Sequence, residues 1–197
     1  YTLTVRLSFD YNLAAGWDWR SFPVTALEDE DGETFFSDVL EDVSVVLGYP
    51  SGELYETPGD WVNTIDVVDS HHGYMLKMND DTELNKEGAR VASDDPMDLN
   101  ASWNWIGFYG SSDDQTAGDA FADLLDNNLI IAKSRGGALL ETPNGWIDGI
   151  GSLEYTGGYI LKLSDGVTGF AWESSATPGE ECADAGGFYC GDDESNW

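Results

Sequence analysis

Carboxylates are the most abundant reactive groups in this chain. Asp29, Asp31 and Glu33 alternate around Gly32, and Asp113, Asp114 and Asp119 occupy the matching loop of a later stretch. Calcium takes about six to eight oxygen ligands from carboxylates, carbonyls and water. The two loops are therefore the candidate calcium sites, and calcium is the candidate cofactor. Neither has the form of an EF-hand, whose loop of about twelve residues closes on a bidentate Glu. His71 and His72 are the only histidines and fall in a turn, where a solvated pair is the plainer reading than a metal or catalytic site. Cys182 and Cys190, the only cysteines, lie in an acidic tail with seven residues between them. Two thiols are too few for a structural zinc. They suit a small disulfide loop, which implies an oxidising compartment.

Other residue types point to binding. Tyr49, Tyr55, Tyr109, Tyr155 and Trp172 are the candidate carbohydrate contacts, because an exposed aromatic face stacks on the apolar face of a sugar ring. Asn100-Ala101-Ser102 is an N-glycosylation sequon. No nucleophile elbow, P-loop or HExxH motif is present. Paired carboxylates cleave glycosides, but among 38 acidic residues any two would qualify, so pairing carries no specificity. The chain reads as non-catalytic.

The charge narrows the partners. Thirty-eight acidic residues against eight basic ones give a formal charge of −30. Binding to phosphate backbones needs many cationic contacts, so nucleic acid is excluded, and so are anionic membranes. Self-repulsion on this scale is relieved by salt or bound cations. A saline or calcium-rich extracellular setting follows, with simple solubility as the plainer alternative. A hydrophobic share of 41% with eight Trp is enough for a packed core. No stretch is long and apolar enough to span a membrane. The chain opens in a strand-like segment, as a processed or excised piece of a longer protein would.

The elements that must position these residues are built twice. Residues 36–80 align with 121–165 at an offset of 85 without a gap, with fifteen of 45 positions identical. Trp17, Trp19 and Phe22 match Trp103, Trp105 and Phe108 at an offset of 86. Leu3, Val5, Leu7 and Phe9 alternate as a half-buried strand. In each copy an aromatic strand precedes an acidic loop. Next come a helix of about two to three turns, a buried strand (44–47 and 129–132) and a Glu-Thr-Pro-x-x-Trp turn. A final Gly-Tyr-x-Leu-Lys strand follows. Trp17, Trp19, Trp61, Trp103, Trp105 and Trp146 are matched and so read as core.

The blocks Trp103-Asn-Trp105-Ile-Gly-Phe108, Ile131-Ala-Lys133-Ser134, Asn144-Gly-Trp146 and Gly157-Gly-Tyr159-Ile-Leu-Lys162 resemble a tandem extracellular repeat. That repeat occurs in secreted and cell-surface proteins of marine bacteria and algae. The resemblance spans both copies and implies secretion and repeat architecture. It carries no catalytic residues. The first copy departs from the pattern at Trp17-Asp-Trp19-Arg, at Gly48-Tyr49 and at His71-His72.

The expected fold is α+β, mostly β. It has two homologous β-barrel or sandwich-like units, each of about five strands and one short helix, packed as a pseudo-symmetric tandem. The units are residues 1–93 and 94–180, followed by an acidic tail, 181–197. The expected function is an extracellular structural or adhesive module, as a segment or subunit of a cell-surface or filamentous assembly. Its partners would be further copies or neighbouring domains. The alternative is a carbohydrate-binding module with polysaccharide as partner.

Overall fold

The structure, a computed structural model, describes residues 7–25, 30–110, 115–126 and 128–172. The first half runs β1 (Leu7–Leu13), β2 (Gly16–Ser21), β3 (Val24–Thr25) and a one-turn helix α1 (Gly32–Phe35). A 3-10 turn (Ser37–Val39) leads to β4 (Val43–Gly48), β5 (Gly52–Thr57), β6 (Asp60–Asn63), β7 (Gly73–Met78) and β8 (Thr82–Arg90). The second half runs β9 (Met97–Leu99), β10 (Ser102–Gly107), α2 (Ala117–Ala120) and α3 (Ala122–Leu125). It closes with β11 (Leu129–Lys133), β12 (Ala138–Thr142), β13 (Gly145–Asp148), β14 (Gly158–Leu163) and β15 (Val167–Phe170).

The protein is mostly β, and its two principal sheets share one topology. The orders β2-β7-β4-β5-β6 and β10-β14-β11-β12-β13 are the same arrangement, antiparallel throughout, and neither closes into a barrel. Smaller pairings cover each sheet: β1-β8-β3 in the first half and β15-β9 in the second.

The register corrects the gapless alignment. Val46 pairs with Leu76 and Leu54, and Ala132 pairs with Leu161 and Leu139. Val46 therefore corresponds to Ala132, an offset of 86, and both are fully buried. The second copy holds one more residue before this strand and one fewer in the hairpin after it. A one-residue slip would turn the buried face outward, so register, not residue identity, is the safer guide here.

The expected helix is broken in both copies. Asp31 caps α1 by accepting from Thr34 N at 2.8 Å, and Thr116 caps α2 by accepting from Asp119 N at 3.2 Å. Phe36 (φ −93°, ψ 11°) and Phe121 (φ −102°, ψ 14°) then leave helical geometry at the same place. Their rings are fully buried. Segments this short are stable through tertiary packing rather than propensity.

Two cores form, one per half. In the first, Phe22 meets Tyr11, Phe35 and Phe36 edge-on at 5.0, 5.1 and 5.4 Å. The second copy carries Met97 and Ala120 where Tyr11 and Phe35 stand. There Trp172 supplies the missing ring, 4.8 Å from Phe108, 5.5 Å from Phe121 and 5.1 Å from Phe170. Its Nε1 donates to Gly107 O at 3.1 Å.

The halves join by one contact made twice. Ser21 N donates to Thr156 O and Gly107 N donates to His71 O, both at 2.7 Å. Isolated bridges pair Arg20 with Gly157 and Ile106 with His72. Arg20 corresponds to Ile106, and His72 to Gly157, so each bridge is the image of the other. The interface is isologous, as in a twofold dimer. A Cβ on Gly73 would stand 2.6 Å from Ile106 O, and one on the equivalent Gly158 2.9 Å from Arg20 O, so neither position admits a side chain.

Candidate functional site

The duplicated junction creates two clefts in equivalent places, and they have diverged. One lies between the end of β2 and the 134–136 and 150–158 loops of the second half, and has a volume of about 400 Å³. The corresponding rim, between β10, the 97–100 segment and the 49–50 and 71–72 loops of the first half, leaves only about 70 Å³. The matched tyrosines Tyr74 and Tyr159 frame the two loops alike. Each hydroxyl accepts from a backbone N–H, of Asp69 and Glu154 respectively, at 2.8 Å. Burial pushes both phenols up to about 12, so both stay neutral.

The filled cleft is closed by Tyr49-Pro50 and the histidine pair. His71 reaches Asp95 from Nε2 at 3.0 Å and Asp69 from Nδ1 at 3.3 Å. Its ring meets Tyr109 edge-on at 5.3 Å, so the contact crosses between the two halves. The hydrogen bond with Asp69 raises the pKa of His71, the charges of Asp69 and Asp95 add to this, and burial opposes them. His72 contacts Ser51 Oγ at 3.0 Å, and burial lowers its pKa. The same network brings the Asp69 carboxyl down to about 2, chiefly through the hydrogen bond with His71. The sequence reading of a solvated pair is thus replaced by a junction in which the His71 ring crosses to the second half and the His72 ring packs on its own hairpin.

In the open cleft Thr156 and Gly157 stand where the histidines are. The opposing strand carries Asp18 and Arg20 where the other copy has Asn104 and Ile106. Asp18 is 2% exposed. It accepts from Ala14 N at 3.2 Å, Trp19 N at 3.0 Å, Arg20 Nε at 2.9 Å and Arg135 Nη1 at 3.2 Å. Asn104 closes the matching loop through Asn100 N and Asn100 O, both at 2.8 Å. Asp18 accepts from Ala14 N as Asn104 does from Asn100 N, but a carboxylate cannot donate to the Ala14 carbonyl; Arg20 donates to a different one, Asn12 O, at 2.9 Å. The Arg135 side chain is 52% exposed at the cleft. Sequence reasoning missed this cleft. The available signal was Arg20, a cation standing where the repeat has Ile106.

The structure places the remaining candidates differently from one another. Tyr109 and Trp172 are fully buried, which removes them as sugar contacts: their rings complete the second core. Tyr155 lies under the Arg90 guanidinium at 4.4 Å. Tyr49 is exposed, 6.4 Å from the Trp105 ring. Tyr55 lies on the outer face of the first sheet. Asn100 is exposed, with its backbone in the loop that Asn104 closes. Of the calcium candidates, Asp31 and Asp119 serve helix starts, and Glu33 is exposed in the first turn of α1. Asp29, Asp113 and Asp114 lie outside the described residues, as do Cys182 and Cys190. Among the described residues no three His, Cys, Asp or Glu side chains are placed to hold one metal ion.

Four of the six matched tryptophans are not core either. Trp17 is 45% exposed and Trp103 36%. Each opens a row of outward side chains crossing all five strands: Trp17-Lys77-Val45-Tyr55-Val62 and Trp103-Lys162-Ile131-Leu140-Ile147. Lys77 lies 5.7 Å from the Trp17 ring, and Lys133 and Lys162 lie 5.5 and 5.4 Å from that of Trp103. Trp19 and Trp105 line a small void with Gly73, Tyr74, Met75 and their counterparts Gly158, Tyr159 and Ile160. Every lining residue has its counterpart there, so the void sits on the pseudo-twofold axis. Only Trp61 and Trp146 pack against the cores.

No protein-family model, curated protein or solved structure matches the chain. No helix among the described residues is long and apolar enough to cross a membrane.

Proposed function

We propose that this chain is a non-catalytic extracellular module with a structural or adhesive role, working through the outer faces of its two five-stranded sheets. The carrying observation is the pair of cross-sheet rows headed by Trp17 and Trp103. Three of the four lysines among the described residues, Lys77, Lys133 and Lys162, sit against these tryptophans. In a chain of charge −30 the rows are cationic and apolar islands. Charge complementarity favours an acidic occupant, and the acidic surface of a neighbouring copy is the nearest one available. Such a face-to-surface contact is heterologous, and repeats into rings where its rotation closes and into open chains where it does not. Bound calcium or high external salt would lower the repulsion between copies.

Sedimentation over a range of concentrations tests this reading. Expected is self-association that disappears in Trp17→Ala/Trp103→Ala. A chain that stays monomeric throughout, with and without calcium, overturns it. The exposure of the same two indoles favours a second reading, an acidic polysaccharide stacked on the rows. Polysaccharide pull-down with the same variant separates the two readings.

A further inference from the structure

We propose that the open cleft between the halves is a binding site for a polyhydroxylated carboxylate, of which a hexuronate residue of an acidic saccharide is the simplest form. The inference rests on the cleft alone and is independent of what the sheet faces bind.

The duplication supplies an internal control. The fold does not require an empty space here, because the equivalent place in the other half is nearly filled by Tyr49, Pro50, His71 and His72. The open cleft, at about 400 Å³, is within the range of ligand pockets. Two of the three arginines among the described residues line it, in a chain with 38 acidic side chains. Arg20 is held from both ends, by Asp18 and by Asn12 O. Arg135 uses one Nη on Asp18 while half its side chain faces the cleft. A guanidinium anchored in this way presents a planar fork suited to a carboxylate.

The lining limits the ligand further. Ser134, Ser152 and the glycine backbone make it polar, so a fatty or aromatic acid fits poorly. Trp19 is among the residues that line it, and an indole is a surface on which a sugar ring stacks. Asp18 and Glu154 balance the two arginines, so a dianionic phosphate meets more repulsion than a single carboxylate does.

Amide-resolved NMR titration of the full chain at near-physiological salt tests the site, with trigalacturonate against neutral galactotriose as probes. Expected are saturable shifts at Gly136, Gly157 and Gly158 with the acidic sugar only. Arg135→Gln weakens them by about tenfold or more. Gly136→Tyr abolishes them, because a side chain there enters open space and blocks the cleft much as Tyr49 does its counterpart. Both variants must keep the wild-type spectrum elsewhere. Absence of saturable shifts at millimolar ligand, equal binding of the neutral sugar, or binding that survives Arg135→Gln but not Trp17→Ala each overturns the proposal. In the last case the sugar sits on the sheet face.

Discussion

The cleft sealed by His71 and His72 and the cleft lined by Arg20 and Arg135 occupy the same place in two copies of one unit. Around them almost everything agrees: the strand order, the tyrosine-framed loops and the paired bridges at 2.7 Å. They differ in side chains on three facing segments. His71-His72 becomes Thr156-Gly157, the Tyr49-Pro50-Ser51 hairpin becomes Arg135-Gly136, and Asn104 with Ile106 becomes Asp18 with Arg20. The difference shows where constraint lies after duplication. Backbone-to-backbone contacts at the junction accept no change, whereas the rims above them are free to close or to open.

The severest test of that comparison is to break the shared backbone approach. Gly73→Val and Gly158→Val each force a side chain against a carbonyl of the other half and should cost about 2–3 kcal/mol. Urea denaturation should give nearly equal losses, and a large loss at only one site would refute the twofold equivalence. A smaller effect tests the strand entries. Gly16 and Ser102 occupy the same left-handed position, at φ +91° and +82°. Ser102→Gly should stabilise by about 1 kcal/mol and Gly16→Ser should destabilise by a similar amount, read as opposite shifts in melting temperature.

The smallest effect belongs to the histidines, and its sign separates them. His71 has a folded pKa above its ordinary 6.5, so its contribution is complete below that value and is lost as pH rises through the folded one. His72 has a folded pKa below 6.5, so its contribution is complete above it and is lost as pH falls. Asp69 acts in the same sense as His72 but lower, between 3.8 and about 2. The His72→Gln variant should therefore weaken on going above about pH 6.5, and His71→Gln on going below it. Each effect should stay within about 1 kcal/mol because the partners are partly solvated. Denaturant midpoints across this range, with parallel slopes for the two variants, would contradict the assignment.

Much of the architecture was legible in the chain, because a duplicated pattern of Trp, Gly and Tyr reports a duplicated unit directly. The period-2 reading at the start of the chain fared less well: Leu7 is exposed, and β1 buries Tyr11 and Leu13 instead. What misled was equating matched with buried. Trp17 and Trp103 are matched because both copies keep the same outward row, a property of register that spacing alone does not reveal. Trp172 fell outside the repeat and read as surface. It is 1% exposed because Ala120 and Met97 leave room for a ring that the first core already owns. The open cleft was invisible for another reason: Asp18 and Arg135 stand 117 positions apart, and only the junction brings them to 3.2 Å.

The paired bridge has one more consequence. A contact that is its own mirror under exchange of halves does not register which covalent chain supplies each half. The first half of one molecule can meet the second half of another through the same Ser21–Thr156 and Gly107–His71 bonds, provided the 92–96 connection opens. Two molecules that trade halves would form a closed pair with no new interface at all, and the length of that connection, rather than any surface patch, sets how readily the trade occurs.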